Sequence, residues 1–212
     1  MRFGIFLYEG AEPIDLATFG VLSVARRLRP EIGICTITPD GGITTLASGL
    51  RIVADHDIGT APRLDVLVVT GGPAWVAQSR SVATLDFIRR HAASALIVSV
   101  CTGGMILAAS GTLDGRAATT KSRAGPPEVS PLHRMHNDHP QIDAREASLV
   151  DTGGIITGGG VTLCIDTMLH VLERHFGAAP ARETARSIEY HRAWAANLAD
   201  LPPLVVRHPL EQ

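Results

Sequence analysis

The sequence predicts an α/β fold with one domain, in which a mostly parallel sheet carries helices on both faces. Short apolar runs that are typical of buried strands alternate with longer segments in which apolar residues recur at helical spacing. The chain has 212 residues, of which 45% are hydrophobic, so it is long enough for one domain with a large core. Its 21 glycines and 13 prolines indicate many tight connections.

The first half of the chain begins this alternation. Residues 2–8 are an apolar run and predict a strand, and residues 14–29 repeat Leu, Phe, Val and Ala at helical spacing, with arginines near the end where they suit the helix dipole. Residues 31–38 predict a second strand. Residues 43–55 predict a small hairpin, and residues 63–70 predict a buried strand that ends at a Gly-Gly-Pro turn.

The second half continues the pattern. The predicted elements are a helix at 82–92, a strand at 95–100 followed directly by a helix, a strand at 116–120, two strands around a turn within 142–159, and helices at 161–177 and 180–195. Residues 121–140 hold four prolines and no usable period, which predicts a long loop. Residues 1–195 are therefore assigned to the α/β domain. Residues 196–212 are assigned to a C-terminal tail, of which residues 201–212 are expected to be extended and to pack on the domain or on a second subunit.

Charge and hydropathy exclude several classes of partner. The formal net charge is −2, and the 19 basic residues are spread along the chain, whereas nucleic-acid binding needs them clustered. The N-terminal apolar run is broken by Tyr8 and Glu9, so it is too short for a signal peptide, and no other run has the length of a membrane span. We expect a cytoplasmic protein that binds neither nucleic acid nor membrane.

Cys101 lies on the joint between the strand at 95–100 and the helix that follows. At such a turn the side chain leaves the edge of the sheet, and the helix directs its free N–H groups and positive dipole end at the thiol, which predicts a lowered thiol pKa. Gly103 leaves room for a sharp turn and is also a candidate substrate-binding residue. Cys101 is therefore a candidate nucleophile, with a small buried core residue as the alternative.

The other two cysteines have no such context. Cys35 lies within a predicted strand and Cys164 within a predicted helix, so both are interpreted as core residues. Three distant cysteines, an odd number, predict neither a disulfide framework nor a zinc site.

Two segments near the same sheet edge supply candidate hydrogen-bond donors. Gly71 and Gly72 end the strand at 63–70, and ligands of parallel sheets lie beyond the carboxyl ends of the strands. The N–H of Gly72 and the N–H of Thr102 are candidates to stabilise negative charge on a substrate. The alternative is that the two glycines only turn the chain before Pro73.

Two charged residues complete the candidate set. Asp15 lies at the start of the helix at 14–29, either as a proton donor and acceptor facing Cys101 or as the helix N-cap. Lys121 is the only lysine of the chain and follows the strand at 116–120. Its charge would favour a nearby thiolate, and the alternative is a side chain in solvent.

Two further patterns are interpreted as structural. His133, His136 and His139 are three residues apart in the predicted loop, a spacing that gives a metal no defined geometry, so we expect no metal site. The three glycines at 158–160 lack the lysine and spacing of a phosphate-binding loop. They predict close packing at the sheet edge.

Three motifs together resemble the DJ-1/PfpI superfamily, with its class I glutamine amidotransferase-like fold. They are "GGP", "SVCTGGMILAASGTLDGRAATT" and "ITGGGVTLCID", and the resemblance covers nearly the whole chain. With "EPIDLATFG", the sequence is most similar to the branch of isonitrile hydratases and the sensor domains of AraC-type regulators. The resemblance implies a flavodoxin-like three-layer sandwich with a nucleophile elbow.

The resemblance also implies roles. Cys101 would attack the terminal carbon of an isonitrile, Asp15 would move the proton, and Thr102 would help position the site, giving an N-substituted formamide with no cofactor. Most relatives of this branch carry a histidine and an aromatic residue where this chain has Lys121 and Ser122. That departure argues against a Cys-His amidase or protease.

Two other functions stay open at this point. A glyoxalase or deglycase-like activity in the superfamily uses a glutamate on the first loop and a histidine near the cysteine, and Asp15 and Lys121 argue against it. The other is a non-catalytic ligand or redox sensor, which would also use an accessible Cys101. No helix-turn-helix module is predicted after residue 195. We expect a small-molecule substrate and, from the resemblance, a homodimer.

Overall fold

A computed structural model describes residues 1–125 and 127–206. Its strands within these residues are β1 (Arg2–Phe6), β2 (Gly33–Thr38), β3 (Gly42–Thr45), β4 (Arg51–Ala54), β5 (His56–Asp57), β6 (Val66–Val69), β7 (Leu96–Ser99), β8 (Ala117–Ala118), β9 (Asp143–Ala144), β10 (Leu149–Asp151), β11 (Ile155–Gly158) and β12 (Leu204–Val205). Eight of them form the central sheet, in the order β12-β10-β11-β7-β6-β1-β2-β5. β3 with β4, and β8 with β9, form two separate small sheets.

The central sheet is parallel except where β10 runs antiparallel to β11. Its register places Phe6, Val69, Ser99 and Thr157 at one level on four adjacent strands. Because these strands run in the same direction, the segments that follow them leave from one edge of the sheet. That edge carries the candidate site.

Helices cover both faces of the sheet. In chain order they are α1 (Ala17–Ala25), α2 (Trp75–Gln78), α3 (Val82–Ala92), α4 (Gly103–Ser110), α5 (Pro131–Asp138), α6 (Leu163–Phe176), α7 (Ala178–Ser187) and α8 (His191–Asp200). α1, α6 and α7 pack on one another in one layer, and α4 packs against α2, α3 and α5 in the other. The predicted α/β fold with a mostly parallel sheet between two helical layers is confirmed.

The layers meet in a continuous apolar core. The side chains of β6 are fully buried, as expected for a strand covered on both faces. Phe6 of β1 packs against Phe87 of α3 with ring centroids 5.7 Å apart. No helix of the described residues is long and apolar enough to cross a bilayer.

The prediction of a loop throughout residues 121–140 is wrong, because α5 begins at Pro131. Proline favours the first position of a helix, where its missing N–H has no partner to lose. The Ser130 hydroxyl accepts the N–H of His133 at 3.2 Å and caps the helix, and Met135 is fully buried beneath it. The prolines that suggested a loop therefore include one that starts a helix.

Other boundaries also shift. The helix predicted at 180–195 is two helices, α7 and α8, separated by Glu189 in a left-handed conformation with φ 56°. The helix predicted from residue 14 begins as a 3₁₀ turn at Pro13–Leu16 before α1. The predicted strand at 116–120 is only the two residues of β8, and the short α2 was not predicted.

The residues that follow α8 pack on the domain, whereas residues 196–200, which the prediction placed in the tail, are the end of α8. β12 pairs in parallel with β10, and the N–H of Val206 donates to the carbonyl of Asp151 at 2.8 Å. The last six residues of the predicted tail, 207–212, lie outside the described residues.

Candidate active site

Cys101 forms a sharp turn between β7 and α4. It has φ 52°, a conformation that is strained for a residue with a side chain, and it is only 3% exposed. Two hydrogen bonds hold its backbone: its N–H donates to the carbonyl of Gly159 at 3.0 Å, and its carbonyl accepts the hydroxyl of Thr120 at 2.7 Å. The predicted strand–turn–helix geometry is confirmed.

The glycines after Cys101 allow the turn to pack closely. A Cβ atom at Gly103 would collide with the carbonyl oxygen of Val69, and one at Gly104 would lie 2.8 Å from the carbonyl oxygen of Thr119. The N–H of Gly103 donates to the carbonyl of Val100 at 2.9 Å. Gly103 was included among the substrate-binding residues, and the structure instead gives it a packing role, since its N–H is already bonded.

Asp15 is fully buried in the 3₁₀ turn that precedes α1. Its Oδ2 accepts the N–H of Gly71 at 2.7 Å, and its Oδ1 has no hydrogen-bond partner among the described residues. Because the carboxyl group bonds to the loop after β6, Asp15 does not cap its own helix. Burial raises the pKa of Asp15 to about 7, although the Gly71 hydrogen bond acts in the opposite direction.

The glycine turn after β6 brings this carboxyl group close to the cysteine. A Cβ atom at Gly71 would lie 3.0 Å from Cβ of Cys101 and would collide with the N–H of Thr102. Gly71 therefore separates Asp15 from Cys101 with only the thickness of a glycine backbone.

Gly72 and Thr102 bond to each other. The N–H of Gly72 donates to Oγ1 of Thr102 at 2.8 Å, and the same hydroxyl donates to the carbonyl of Gly72 at 3.2 Å. The prediction that Gly72 supplies a free oxyanion donor is therefore wrong, because its N–H is already bonded to a side chain. The N–H of Thr102 is the remaining backbone donor beside the sulfur, and it acts to lower the pKa of the thiol.

The prediction of a lowered pKa for Cys101 is also wrong. Burial and then the charge of Asp15 raise the pKa of Cys101 to about 12, and the N–H of Thr102 and the charge of Lys121 only partly oppose them. Loss of hydration outweighs the helix dipole because the sulfur is almost completely enclosed. Cys101 is therefore a neutral thiol near pH 7, with a carboxyl group beside it that can take its proton.

A cavity of about 320 Å³ opens above Cys101 and Thr102. It carries both charge signs, with Glu12 and Glu128 beside Lys121 and Arg134. The apolar part of its wall comes from α2, from the first residue of α5 and from the loops around the site: Pro73, Trp75, Val76, Val129, Pro131 and Val161. Its size and mixed lining suit a small organic molecule with a polar end.

Comparison with known proteins agrees with this geometry. The model of the DJ-1/PfpI family matches residues 1–174. The chain belongs to the DJ-1/PfpI family. A crystal structure of a ThiJ/PfpI family protein from Pseudomonas syringae superposes with a TM-score of 0.78 and 25% identity, covering 95% of this chain and 87% of that one.

Relatives within the DJ-1/PfpI family include an enzyme and regulators. Isonitrile hydratase of Pseudomonas putida is 30% identical over 194 residues, which are 90% of this chain and 78% of the hydratase. The HTH-type transcriptional regulator GlxA of Rhizobium meliloti is 29% identical over 160 residues, which are 74% of this chain and 47% of the regulator. An enzyme and a transcriptional regulator are therefore both represented among the relatives.

The structure resolves where two other predicted features of this family member lie. Lys121 lines the cavity, and Gly160 makes room for it, since a Cβ atom there would lie 2.7 Å from Cβ of Lys121. His133 and His136 are exposed on α5 and face a different depression of the surface. Among the described residues, no cluster of His, Cys, Asp or Glu could hold a metal ion.

Sequence reasoning missed two residues of the site. Gly159 was expected to pack at the sheet edge with its backbone near the pocket, but the hydrogen bond from the N–H of Cys101 to its carbonyl, which fixes the turn, was not predicted. Tyr8 follows β1 and is fully buried near Asp15, Cys101 and Thr102. A hydroxyl at the end of an apolar strand, at the same sheet edge as the cysteine, was a signal that could have identified Tyr8.

Proposed function

We propose that this protein is a cofactor-free hydratase that converts an isonitrile to the corresponding N-substituted formamide. The observation that carries the proposal is the buried carboxyl group of Asp15, with a pKa of about 7, next to the thiol of Cys101 at the elbow. A group that is half protonated at neutral pH can both take and give a proton. The 30% identity to isonitrile hydratase supports the same reaction.

The first step adds the thiol to the isonitrile carbon. As the sulfur of Cys101 bonds to that carbon, the thiol proton passes to Asp15 and then to the same carbon, which leaves a thioformimidate. Because the pKa of Cys101 is about 12, the proton must leave as the carbon–sulfur bond forms, and this requires a base at Asp15. The N–H of Thr102 lies where it can stabilise charge near the sulfur.

The second step releases the product. A water oxygen bonds to the thioformimidate carbon while Asp15 takes one proton from the water and passes it to the substrate nitrogen. The carbon–sulfur bond then breaks, a carbonyl forms, and the sulfur of Cys101 regains its proton through Asp15. The sum of the two steps is the addition of one water molecule to the isonitrile, with no oxidant or reductant.

The test is conversion of simple alkyl and aryl isonitriles by purified protein, followed as formamide formation. Cys101→Ser and Asp15→Asn should each lower kcat by at least about 100-fold. Cys35→Ala is the matched control, because Cys35 is a buried free cysteine in β2, and it should retain turnover. Methylglyoxal consumption is measured in parallel. Wild-type protein that consumes methylglyoxal and leaves isonitriles untouched would replace this proposal with the deglycase alternative.

A ligand sensor is the second candidate. It is favoured by the similarity to the regulator GlxA and by the neutral thiol of Cys101, which is unreactive without a substrate or base. A sensor would bind an isonitrile or another small molecule in the cavity without turnover. Calorimetric binding to wild-type protein and to Cys101→Ser, with formamide absent in both, would favour sensing.

We also propose that the chain forms a homodimer. Ile43 and Val53 support this, because they lie directly opposite each other on the β3–β4 hairpin and are 68% and 74% exposed. Light scattering should give the mass of two chains for wild-type protein and a lower mass for Ile43→Ser/Val53→Ser. Val82→Ser changes an equally exposed side chain away from the hairpin and should remain dimeric.

A further inference from the structure

Tyr8 follows β1 and lies at the level of the candidate site, with β6 between its strand and the strand of Cys101. Phe6, Val69 and Ser99 share one register level on β1, β6 and β7. Two residues further along each segment come Tyr8, Gly71 and Cys101, so all three leave the same edge at similar height. The ring of Tyr8 packs against that of Phe6 in a tilted arrangement, with centroids 6.2 Å apart.

The hydroxyl of Tyr8 is buried and makes no hydrogen bond of standard length and angle among the described residues, although the side chain of Thr102 lies near enough to lower its pKa. Oδ1 of Asp15 is also buried and has no hydrogen-bond partner among the described residues. A buried polar atom without a partner destabilises the fold, and phenylalanine would fill the same space at Tyr8 without that cost. Two such atoms in one site therefore indicate a small polar molecule between them.

The surroundings of Tyr8 fix its protonation state. Burial, and then the charges of Asp15 and Cys101, hold the pKa of Tyr8 well above its usual value, while the side chain of Thr102 acts in the opposite direction. The phenol is therefore neutral and can donate a hydrogen bond throughout the physiological range. Asp15, Cys101 and Thr102 all lie close enough to Tyr8 to shift the pKa of its hydroxyl.

We propose that the Tyr8 hydroxyl and Oδ1 of Asp15 bind one water molecule behind Cys101, and that this water is the nucleophile of the second step. A buried water needs two or more polar partners, which these two atoms provide. Its oxygen bonds to the thioformimidate carbon on the sulfur, and its proton passes to Oδ1 of Asp15. Tyr8 is then a positioning residue for the water. This role rests on the proposed function, whereas the water site itself does not.

The first experiment is turnover of an isonitrile by Tyr8→Phe. Because only the second step uses the bound water, kcat should fall by about 10- to 100-fold and KM should fall with it as the adduct accumulates, so that kcat/KM stays within about twofold of the wild-type value. Cys101 should accumulate an adduct with the mass of the whole isonitrile, seen by mass spectrometry after acid quench. Thr184→Val is the matched control, since it removes another buried, unpartnered hydroxyl, on α7, and it should change neither quantity.

The second experiment needs no substrate. A plot of the rate of Cys101 alkylation by iodoacetamide against pH should show an inflection near the pKa of Asp15, because the charge of Asp15 opposes the thiolate. The bound water passes the hydrogen bond of Tyr8 to the carboxylate, so Tyr8→Phe should move this inflection to higher pH by about half a unit or more. Thr184→Val should leave it in place.

The outcomes separate the two proposals. An unchanged inflection in Tyr8→Phe, together with turnover within about twofold of wild type, would overturn the water site. If Tyr8→Phe shifts the inflection but the wild-type protein does not hydrate isonitriles, the water site is supported and the proposed function is removed. A shifted inflection with an accumulated adduct would support both.

Discussion

The carboxylate of Asp15 accepts the N–H of Gly71 at 2.7 Å, across the gap between the first helix and the loop after β6. This bond orients the carboxyl group, but it does not compensate for burial, and the pKa of Asp15 therefore remains raised. The consequences for stability and for the reactivity of Cys101 can be measured separately.

Asp15 makes the protein less stable as the pH rises. Its pKa is about 7 in the folded protein, against an ordinary value of 3.8, so the folded state binds this proton more tightly than the unfolded state does. Stability attributable to Asp15 is complete below about pH 4 and is lost as the pH rises to about 7. Between pH 4 and pH 8, the free energy of unfolding of the wild-type protein should fall by up to about 4 kcal/mol relative to that of Asp15→Asn, as measured by urea unfolding. Parallel curves for the two proteins would show that the carboxyl group is not perturbed.

Cys101 should be a slow nucleophile in the absence of substrate. With a pKa of about 12, its alkylation by iodoacetamide should still be accelerating with pH at pH 9. Asp15→Asn removes the neighbouring charge and should accelerate the reaction at pH 8 by about tenfold. The peptide of Cys35 is the internal control, since burial and then Asp55 raise its pKa and Asp15 does not act on it. A rate for Cys101 that reaches a plateau below pH 8 would contradict this expectation.

Lys121 should act on the site through its charge. The ammonium group lowers the pKa of Asp15 and of Cys101, in each case against the larger effect of burial. Lys121→Met should therefore move the pH dependence of Cys101 alkylation upward by about half a unit, and Lys121→Arg should keep it in place. If Lys121→Met and Lys121→Arg give the same pH dependence of alkylation, the side chain of Lys121 contributes only to the shape of the cavity.

The turn after β6 should tolerate no side chain at Gly72. Gly72 has φ 151°, and a Cβ atom there would lie 2.6 Å from Cα of Ala11 and from the carbonyl oxygen of Gly10. We expect Gly72→Ala to cost more than about 3 kcal/mol in the free energy of unfolding. Gly153→Ala is the control, because Gly153 has φ 86° and open space around it, and its cost should be about 1 kcal/mol. Equal losses would mean that backbone strain alone decides both.

The position of Cys101 could be predicted because it depends on local sequence. An apolar strand, a cysteine and a glycine-rich helix start within a few residues specify the elbow, and the carboxyl-end rule places Asp15, Gly71 and Cys101 at one edge. The helix α5 was missed for an equally local reason, since Pro131 was interpreted as a helix breaker although it stands at the first position of the helix.

The electrostatics of the site could not be predicted in the same way. The helix dipole is visible in the sequence and suggested a lowered pKa for Cys101, but the enclosure of the sulfur is produced by segments distant in the chain. Gly72 similarly appeared to have a free N–H, because its partner, the hydroxyl of Thr102, is 30 residues away. Burial and hydrogen-bond pairing are tertiary properties, and each reversed an expectation based on local sequence.

The short strand β12 has a consequence for how the protein behaves in concentrated solution. Its two residues cover the outer side of β10, which would otherwise offer unpaired N–H and carbonyl groups to strands of neighbouring molecules. A two-residue strand is itself too short to template such pairing. The C-terminal segment thus protects this margin of the sheet from aggregation, and a chain cut after Asp200 should form β-rich assemblies more readily than the intact protein.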